Sequence, residues 1–312
     1  MYFPTAGIDV NPVVPPLTAL VISFFTSMAG VSGAFLLLPF QMSFLGYVNP
    51  SVSATNQLFN IVAIPSGVWR YIREGRMVWP LAVAVIAGTL PGVFLGAYAR
   101  VALLPGAKDF KLFAAVVLSY VGWRMLRDLA RRKKGVTDRA SAEKRFQELA
   151  RTHAGRAGRG LPAVKLIHAS MRRISYDFYG ERYDVSGPGV LGLSLAVGVV
   201  GGAYGIGGGA IIAPFFVSIL GLPVYTVAGA ALMGTFVTSI AGVAFYQLIA
   251  PYYPGMSVAP DWGLGALFGL GGMAGMYLGA ACQKRVPGHV IRWGLCAVIL
   301  YTAGAYVLDG LR

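Results

Sequence analysis

The sequence predicts an all-α polytopic membrane protein built from two inverted repeats, each a glycine-broken, re-entrant helical hairpin followed by three transmembrane helices. Three observations predict it. The 312 residues are 56% hydrophobic and only 12% charged, with a mean hydropathy of +0.65, well outside the soluble average. From Val185 to Pro260 there is no Asp, Glu, Lys or Arg, a run long enough for several spans of ~20 residues. Finally, two glycine-interrupted apolar runs ending in Pro-Phe, Gly30 to Phe40 and Gly205 to Phe215, superimpose without a gap at an offset of 175 residues.

Apolar segments fall at roughly 14–46, 51–69, 77–99, 110–126, 188–221, 223–250, 262–283 and 289–308. The first and fifth exceed one bilayer crossing at ~1.5 Å per residue and carry the glycine motif midway. The offset of 175 also pairs Leu45-Gly46 with Leu220-Gly221, Asn60 with Thr235, and Gly67-Val68 with Gly242-Val243. Beyond an insertion around Pro251 to Pro260, Gly92 to Ala97 pairs with Gly275 to Ala280 at an offset of 183. Internal duplication of this kind is a common plan of secondary transporters. The predicted organisation is therefore residues 1–129 as an N-terminal transmembrane repeat, 130–187 as a basic linker and 188–312 as a C-terminal transmembrane repeat.

Loop charge decides between parallel and inverted halves. If all eight segments crossed, Lys284, Arg285 and Arg292 would be external and the uncharged Pro251 to Pro254 loop cytoplasmic, against the positive-inside bias. If segments one and five turn back at their glycines, Arg70, Arg73, Arg76, Lys284, Arg285, Arg292 and the linker all lie inside. Only Arg100, Lys108 and Lys111 then fall outside, against the rule. The inverted arrangement fits better. Met1 to Val13 has no Lys or Arg, so it lacks the charged region of a signal peptide and the first apolar segment is expected to be retained.

The net charge of +14 is concentrated: 14 of the 26 Lys and Arg lie between Ala130 and Gly187, with six of the twelve acids. Basic residues packed beside spans report cytoplasmic sidedness and contact with anionic lipid rather than a nucleic-acid groove. Within the linker, Ser141 to Thr152 has helical composition. Ala163 to Phe178 places Val164, Ile167, Met171, Ile174 and Phe178 on one helical face, which predicts a basic amphipathic helix in the headgroup layer, with gating of the cytoplasmic mouth as an alternative.

No constellation for catalysis is present, and no metal or cofactor is implied. His153, His168 and His289 have no paired carboxylate or activated Ser or Cys nearby in sequence. Gly205 to Gly209 lacks the Gly-Lys-Ser/Thr of a phosphate loop. Cys282 and Cys296 sit at or inside spans and suggest neither a disulfide nor a zinc site. No predicted span carries Asp, Glu or Lys near its centre, which argues against a proton relay or a cation carrier.

What remains is anion chemistry. The four glycines among residues 205–209 disfavour a continuous helix and free backbone groups, tolerated at membrane depth only where they are buried in protein or line a cavity. Helices restarting at Ser32 to Phe35 and Gly207 to Ile211 would offer free N–H groups to an anion. The candidate binding residues are accordingly Gly30, Ser32, Gly33 and Ala34 in the first motif and Gly205, Gly207, Gly208 and Gly209 in the second. Neutral donors on neighbouring spans complete the set: Asn56, Gln57 and Asn60, with Thr235, Thr238 and Ser239 on the matching helix. The two asparagines are favoured over Thr238, because interhelical hydrogen bonding accounts readily for Thr and Ser. Close helix packing explains Gly92 with Gly96 and Gly271 with Gly275 and Gly279.

These residues resemble the sulfite exporter (TauE/SafE) family within the toluenesulfonate uptake permease superfamily. The resemblance rests on Gly30 to Pro39 and Gly205 to Pro214, each followed by a polar, small-residue helix, and on Leu95-Gly96-Ala97 and Leu278-Gly279-Ala280. It covers most of both hydrophobic halves but not the linker from Ala130 to Gly187. The first motif departs from the second, with Ser32 and Ala34 where the second has Gly207 and Gly209. The resemblance implies inner-membrane transport, often export, of sulfur-containing anions such as sulfite or a sulfonate like sulfoacetate. A carrier of another small organic anion, such as a carboxylate, is the alternative, and a non-transporting membrane interaction or sensor component a second; a homodimer stays open.

Overall fold

The computed structural model describes residues 1–28, 31–73, 75, 77–131, 164–170, 172–178, 181–282 and 288–310. The segment Ser141 to Thr152 and the residue Gly30 lie outside them. The described chain is mostly helical. Helices α1 (Val14–Met28) and α2 (Ala34–Ser43) make the first broken segment. Then follow α3 (Ser51–Ala63), α4 (Pro65–Arg73), α5 (Trp79–Ala102) and α6 (Ala107–Arg131). The second half runs through α7 (Gly187–Tyr204), α8 (Ile212–Ser218), α9 (Val224–Ile249), α10 (Trp262–Cys282) and α11 (Gly288–Gly310). Among the described residues, Trp79–Ala102, Gly187–Tyr204 and Thr226–Tyr252 are long and apolar enough to cross a membrane. The division between α3 and α4 at Pro65 was not anticipated; proline removes one helical donor and interrupts the ladder.

The two halves pack into each other by equivalent contacts. α7 lies on α5, and a methyl group placed on Gly88, Gly92 or Gly96 would strike the carbonyl oxygens of Leu191, Leu195 and Val199 respectively. α1 lies on α10, where a methyl group on Gly271, Gly275 or Gly279 would strike the carbonyls of Pro16, Leu20 and Phe24. The second glycine trio follows the first by 183 residues, and the carbonyl trio Leu191, Leu195 and Val199 follows Pro16, Leu20 and Phe24 by 175. Exchanging the halves therefore maps one interface onto the other. It also maps α3 on α10 onto α9 on α5, and leaves the central α3–α9 and peripheral α6–α11 pairs in place. Small residues allow this close approach where apolar burial gives no advantage over lipid.

Two features correct the all-α expectation. β1 (Tyr2–Phe3) and β2 (Ile8–Asp9) form a short antiparallel ribbon. In the linker, the described residues of the stretch expected to be an amphipathic helix, 164–170 and 172–178, form strands instead: β3 (Val164–Ala169), β4 (Arg173–Phe178) and β5 (Glu181–Ser186) make an antiparallel sheet in that order. Tyr176 pairs with Leu166 on one side and Tyr183 on the other. Ile174, Tyr176 and Phe178 alternate with Ser175 and Asp177, and Tyr183 and Val185 alternate with Arg182 and Asp184. That period of two buries one face. The face docks on the second half, where the Tyr176 hydroxyl lies 2.9 Å from Thr226 Oγ1 at the start of α9.

Candidate functional site

The second break is built by two left-handed glycines. Gly205 (φ 79°) and Gly207 (φ 78°) take a conformation that L side chains disfavour. The Ile206 N–H returns to the Gly201 carbonyl at 3.0 Å, closing α7 in the manner of a Schellman motif. Side chains would not fit in any case. A methyl group on Gly205 would meet Ser53 of α3, on Gly208 Thr89 of α5, and on Gly209 the Ala231 carbonyl of α9. The glycine run is thus the crossing point of three helices.

The first break is closed differently. The Ser32 hydroxyl accepts the Ala34 N–H at 3.3 Å while donating to Asn60 Oδ1 at 2.6 Å. Ser32 and Ala34 occupy the positions of Gly207 and Gly209. The N–H that Ser32 caps in the first copy has no counterpart partner in the second: among the described residues, no hydrogen bond is made by the N–H groups of Gly207 and Gly209. The difference in sequence between the motifs is therefore a difference in free donors.

One face of α3 fastens both breaks. Asn56 Nδ2 donates to the Ala34 carbonyl at 3.0 Å and to the Gly205 carbonyl at 3.1 Å. Asn60 Nδ2 donates to the Ile206 carbonyl at 2.9 Å and to Ser239 Oγ at 3.3 Å. Ser53, one turn earlier on that face, donates to the Ala203 carbonyl at 3.2 Å. From the other side, Thr238 Oγ1 accepts the Gly208 N–H at 3.0 Å and donates to its own helix. Thr235 donates to the Ala231 carbonyl. Ser32, Asn56, Asn60, Thr235, Thr238 and Ser239 are all buried, and every residue named here is uncharged.

The sequence-predicted residues thus converge, with Gly30 outside the described residues, but their donors are not equally free. Both amide hydrogens of Asn56 and of Asn60 are taken by protein acceptors. Gln57 differs: fully buried, it has no hydrogen-bond partner at either Oε1 or Nε2 and packs against Gly242 of α9. The helix dipole contributes less than expected at the second break, because α8 has only 7 residues against 10 in α2.

Several participants escaped sequence reasoning. Gln41 of α2 donates to Asn56 Oδ1 at 3.3 Å, and Tyr204 reaches from the end of α7 to the Phe35 carbonyl at 3.4 Å. A polar Gln in an apolar broken segment was a usable signal for the first. Ser53 could have been found from its position three residues before Asn56. Nothing local marks Tyr204, whose role depends on the two halves meeting.

Neither the curated proteins nor the solved structures compared with the chain gave a match. A family profile did: that of the sulfite exporter TauE/SafE, over residues 16–306. The matched stretch takes in both breaks, the α3 face that fastens them and both glycine-mediated interfaces. A mostly helical chain with apolar spans and a buried, uncharged polar centre is consistent with a membrane transporter rather than an enzyme, and by this match the protein belongs to the TauE/SafE sulfite exporter family.

Proposed function

We propose that the protein exports sulfite or a small sulfonate such as sulfoacetate across the inner membrane by alternating access, the two halves rocking about the paired breaks. The observation that carries this reading is a buried polar centre with unused donors and no ionised acid: Gln57 Nε2 and the N–H groups of Gly207 and Gly209. An oxyanion loses its hydration on entering such a site, and neutral amide and backbone donors replace part of it without a buried cation to repel the protein's own neighbours. The second break is the stronger half of the site because its donors are not self-capped. The exchange symmetry of the helix contacts supports a duplicated architecture, and the loop charges support inverted halves and a cytoplasmic linker facing anionic headgroups.

Proteoliposomes loaded with sulfite test the proposal. Wild-type protein should release sulfite well above protein-free vesicles, and Gln57→Leu should lower the rate by about tenfold or more, the scale expected when one positioned polar contact to a buried anion is lost. Release equal to that of empty vesicles would overturn the transport reading. Wild-type release by Gln57→Leu would overturn the site assignment.

A further inference from the structure

Arg100, near the end of α5, is fully buried. The sequence placed it with the external loop charges, but it lies inside the protein. Its Nη2 donates to the Val48 carbonyl at 3.1 Å, and Nη1 donates to the Leu104 carbonyl. The guanidinium carbon sits 3.8 Å from the centroid of the Phe110 ring. Tyr47 and Tyr246, both buried, flank it. Nε has no hydrogen-bond partner, and no carboxylate pairs with the group among the described residues. The buried acid at this end, Asp261, is committed elsewhere: Oδ1 accepts the Leu264 N–H at 2.9 Å and Oδ2 the Ala6 N–H at 3.3 Å.

A buried guanidinium without a counter-ion is costly, and two carbonyls and one ring compensate it only in part. Its neighbours also connect it to the site. Tyr246 donates to the Gly202 carbonyl at 3.2 Å, three residues before the second break. Phe110 meets Tyr204, and Tyr204 stacks on Phe35 at 6.0 Å and bonds its carbonyl beside the first break. Arg100 therefore stands one side chain, Tyr246, from the second half of the polar centre and two, Phe110 and Tyr204, from the first.

We propose that Arg100 is a second, charged binding position for the transported oxyanion, between the polar centre and the 103–106 loop, and that the anion is its missing counter-ion. This rests on the transport reading above. The neutral centre then sets the passage of the anion, while Arg100 draws it out of, or into, the solvent-facing end of α5. A planar guanidinium suits an oxyanion because it can present paired N–H donors.

Purified full-length protein tests it, by thermal shift with sulfite and by concentration-dependent flux in proteoliposomes. Arg100→Gln is expected to keep its unliganded melting temperature or raise it, to lose most of the sulfite-induced shift, and to raise the KM for sulfite about tenfold or more. Arg100→Lys should recover part of the affinity. A structural role alone would lower the melting temperature and leave KM and the sulfite-induced shift of the folded fraction unchanged; that result overturns the proposal. Should Arg100→Gln fail to fold, phenylglyoxal labelling of the wild type replaces it. Sulfoacetate, which unlike sulfite does not add to the reagent's aldehyde, should slow labelling at Arg100 and not at Arg182 in the linker sheet, and equal labelling with and without it, or none at Arg100, overturns the proposal. A wild type that neither binds nor moves sulfite or sulfoacetate overturns the transport reading itself, and this proposal with it. Wild-type behaviour in Arg100→Gln overturns this proposal alone.

Discussion

Gln57 and Asn60 sit three residues apart on one helix, yet substitutions at them should act in opposite directions on stability. Asn60 links Ser32, Ile206 and Ser239, so Asn60→Ala leaves several buried polar groups unpaired at about 1–3 kcal/mol each. Gln57 carries two unpaired polar atoms already. Gln57→Leu should therefore raise the melting temperature in detergent, by an amount equivalent to up to about 1–3 kcal/mol, while lowering flux. A gain in stability with a loss of function is the signature of a polar group kept for a ligand. A destabilised Gln57→Leu would instead assign the amide to packing. Asn60, Gln57 and the glycines were legible from residue type and spacing alone. Arg100 was not, because a basic residue near a helix end has the sequence appearance of a loop charge, and its burial depends on Val48, Phe110 and Tyr246 from three separate segments.

At the level of elements, the matched interfaces α1–α10 and α5–α7 make a quantitative demand. Gly275→Leu and Gly92→Leu should destabilise to a similar degree, because each drives a side chain into the carbonyl one repeat away from the other's, at Leu20 and at Leu195. Thermal unfolding of the two variants checks this, and a large effect at one with none at the other would mean that the interfaces differ in strength despite their geometry. The linker sheet offers an acid-sensitive element. The Asp184 carboxyl is held below its ordinary range first by the Ser175 hydroxyl and then by Arg173 and Arg182, each 3.5 Å away. A depressed folded-state value means that this carboxylate contributes stability above the ordinary carboxylate pKa, and that the contribution is lost as pH falls through the lower folded value. Melting temperature should therefore fall more steeply below about pH 4 in wild type than in Asp184→Asn; identical profiles would exclude the contribution. The strands themselves were misread because Val164, Ile167, Ile174 and Phe178 satisfy a helical spacing, while the period of two through Ile174, Tyr176 and Phe178 is short and shares two of those residues. Cross-strand pairing, which the local pattern does not contain, decides between them.

On the scale of the whole molecule, duplication was readable because the two offsets, 175 and 183, persist from the breaks to the third helices. Which half packs on which was not, since exchange of first helices between halves leaves no trace in either copy alone. The proposed inverted topology would place Tyr252, exposed in the short turn that follows α9, on the outer face. Tyr252→Cys in a background of Cys282→Ser and Cys296→Ser should react with an impermeant thiol reagent added to intact cells. Labelling only after permeabilisation would overturn the inverted assignment.

The two hydrogens of the Asn56 amide divide between the two breaks, one to Ala34 and one to Gly205. Moving either broken segment away from α3 breaks one of these bonds and leaves the other as the remaining tether. Opening to both compartments at once would sacrifice both, together with the bonds of Asn60, in a region where water is not at hand to replace them. In the proposed alternating-access cycle a single side chain would thus work as an interlock: it would penalise the leaky state more than either half-open state, and a barrier against passive leak of the anion would follow from where one amide group happens to point.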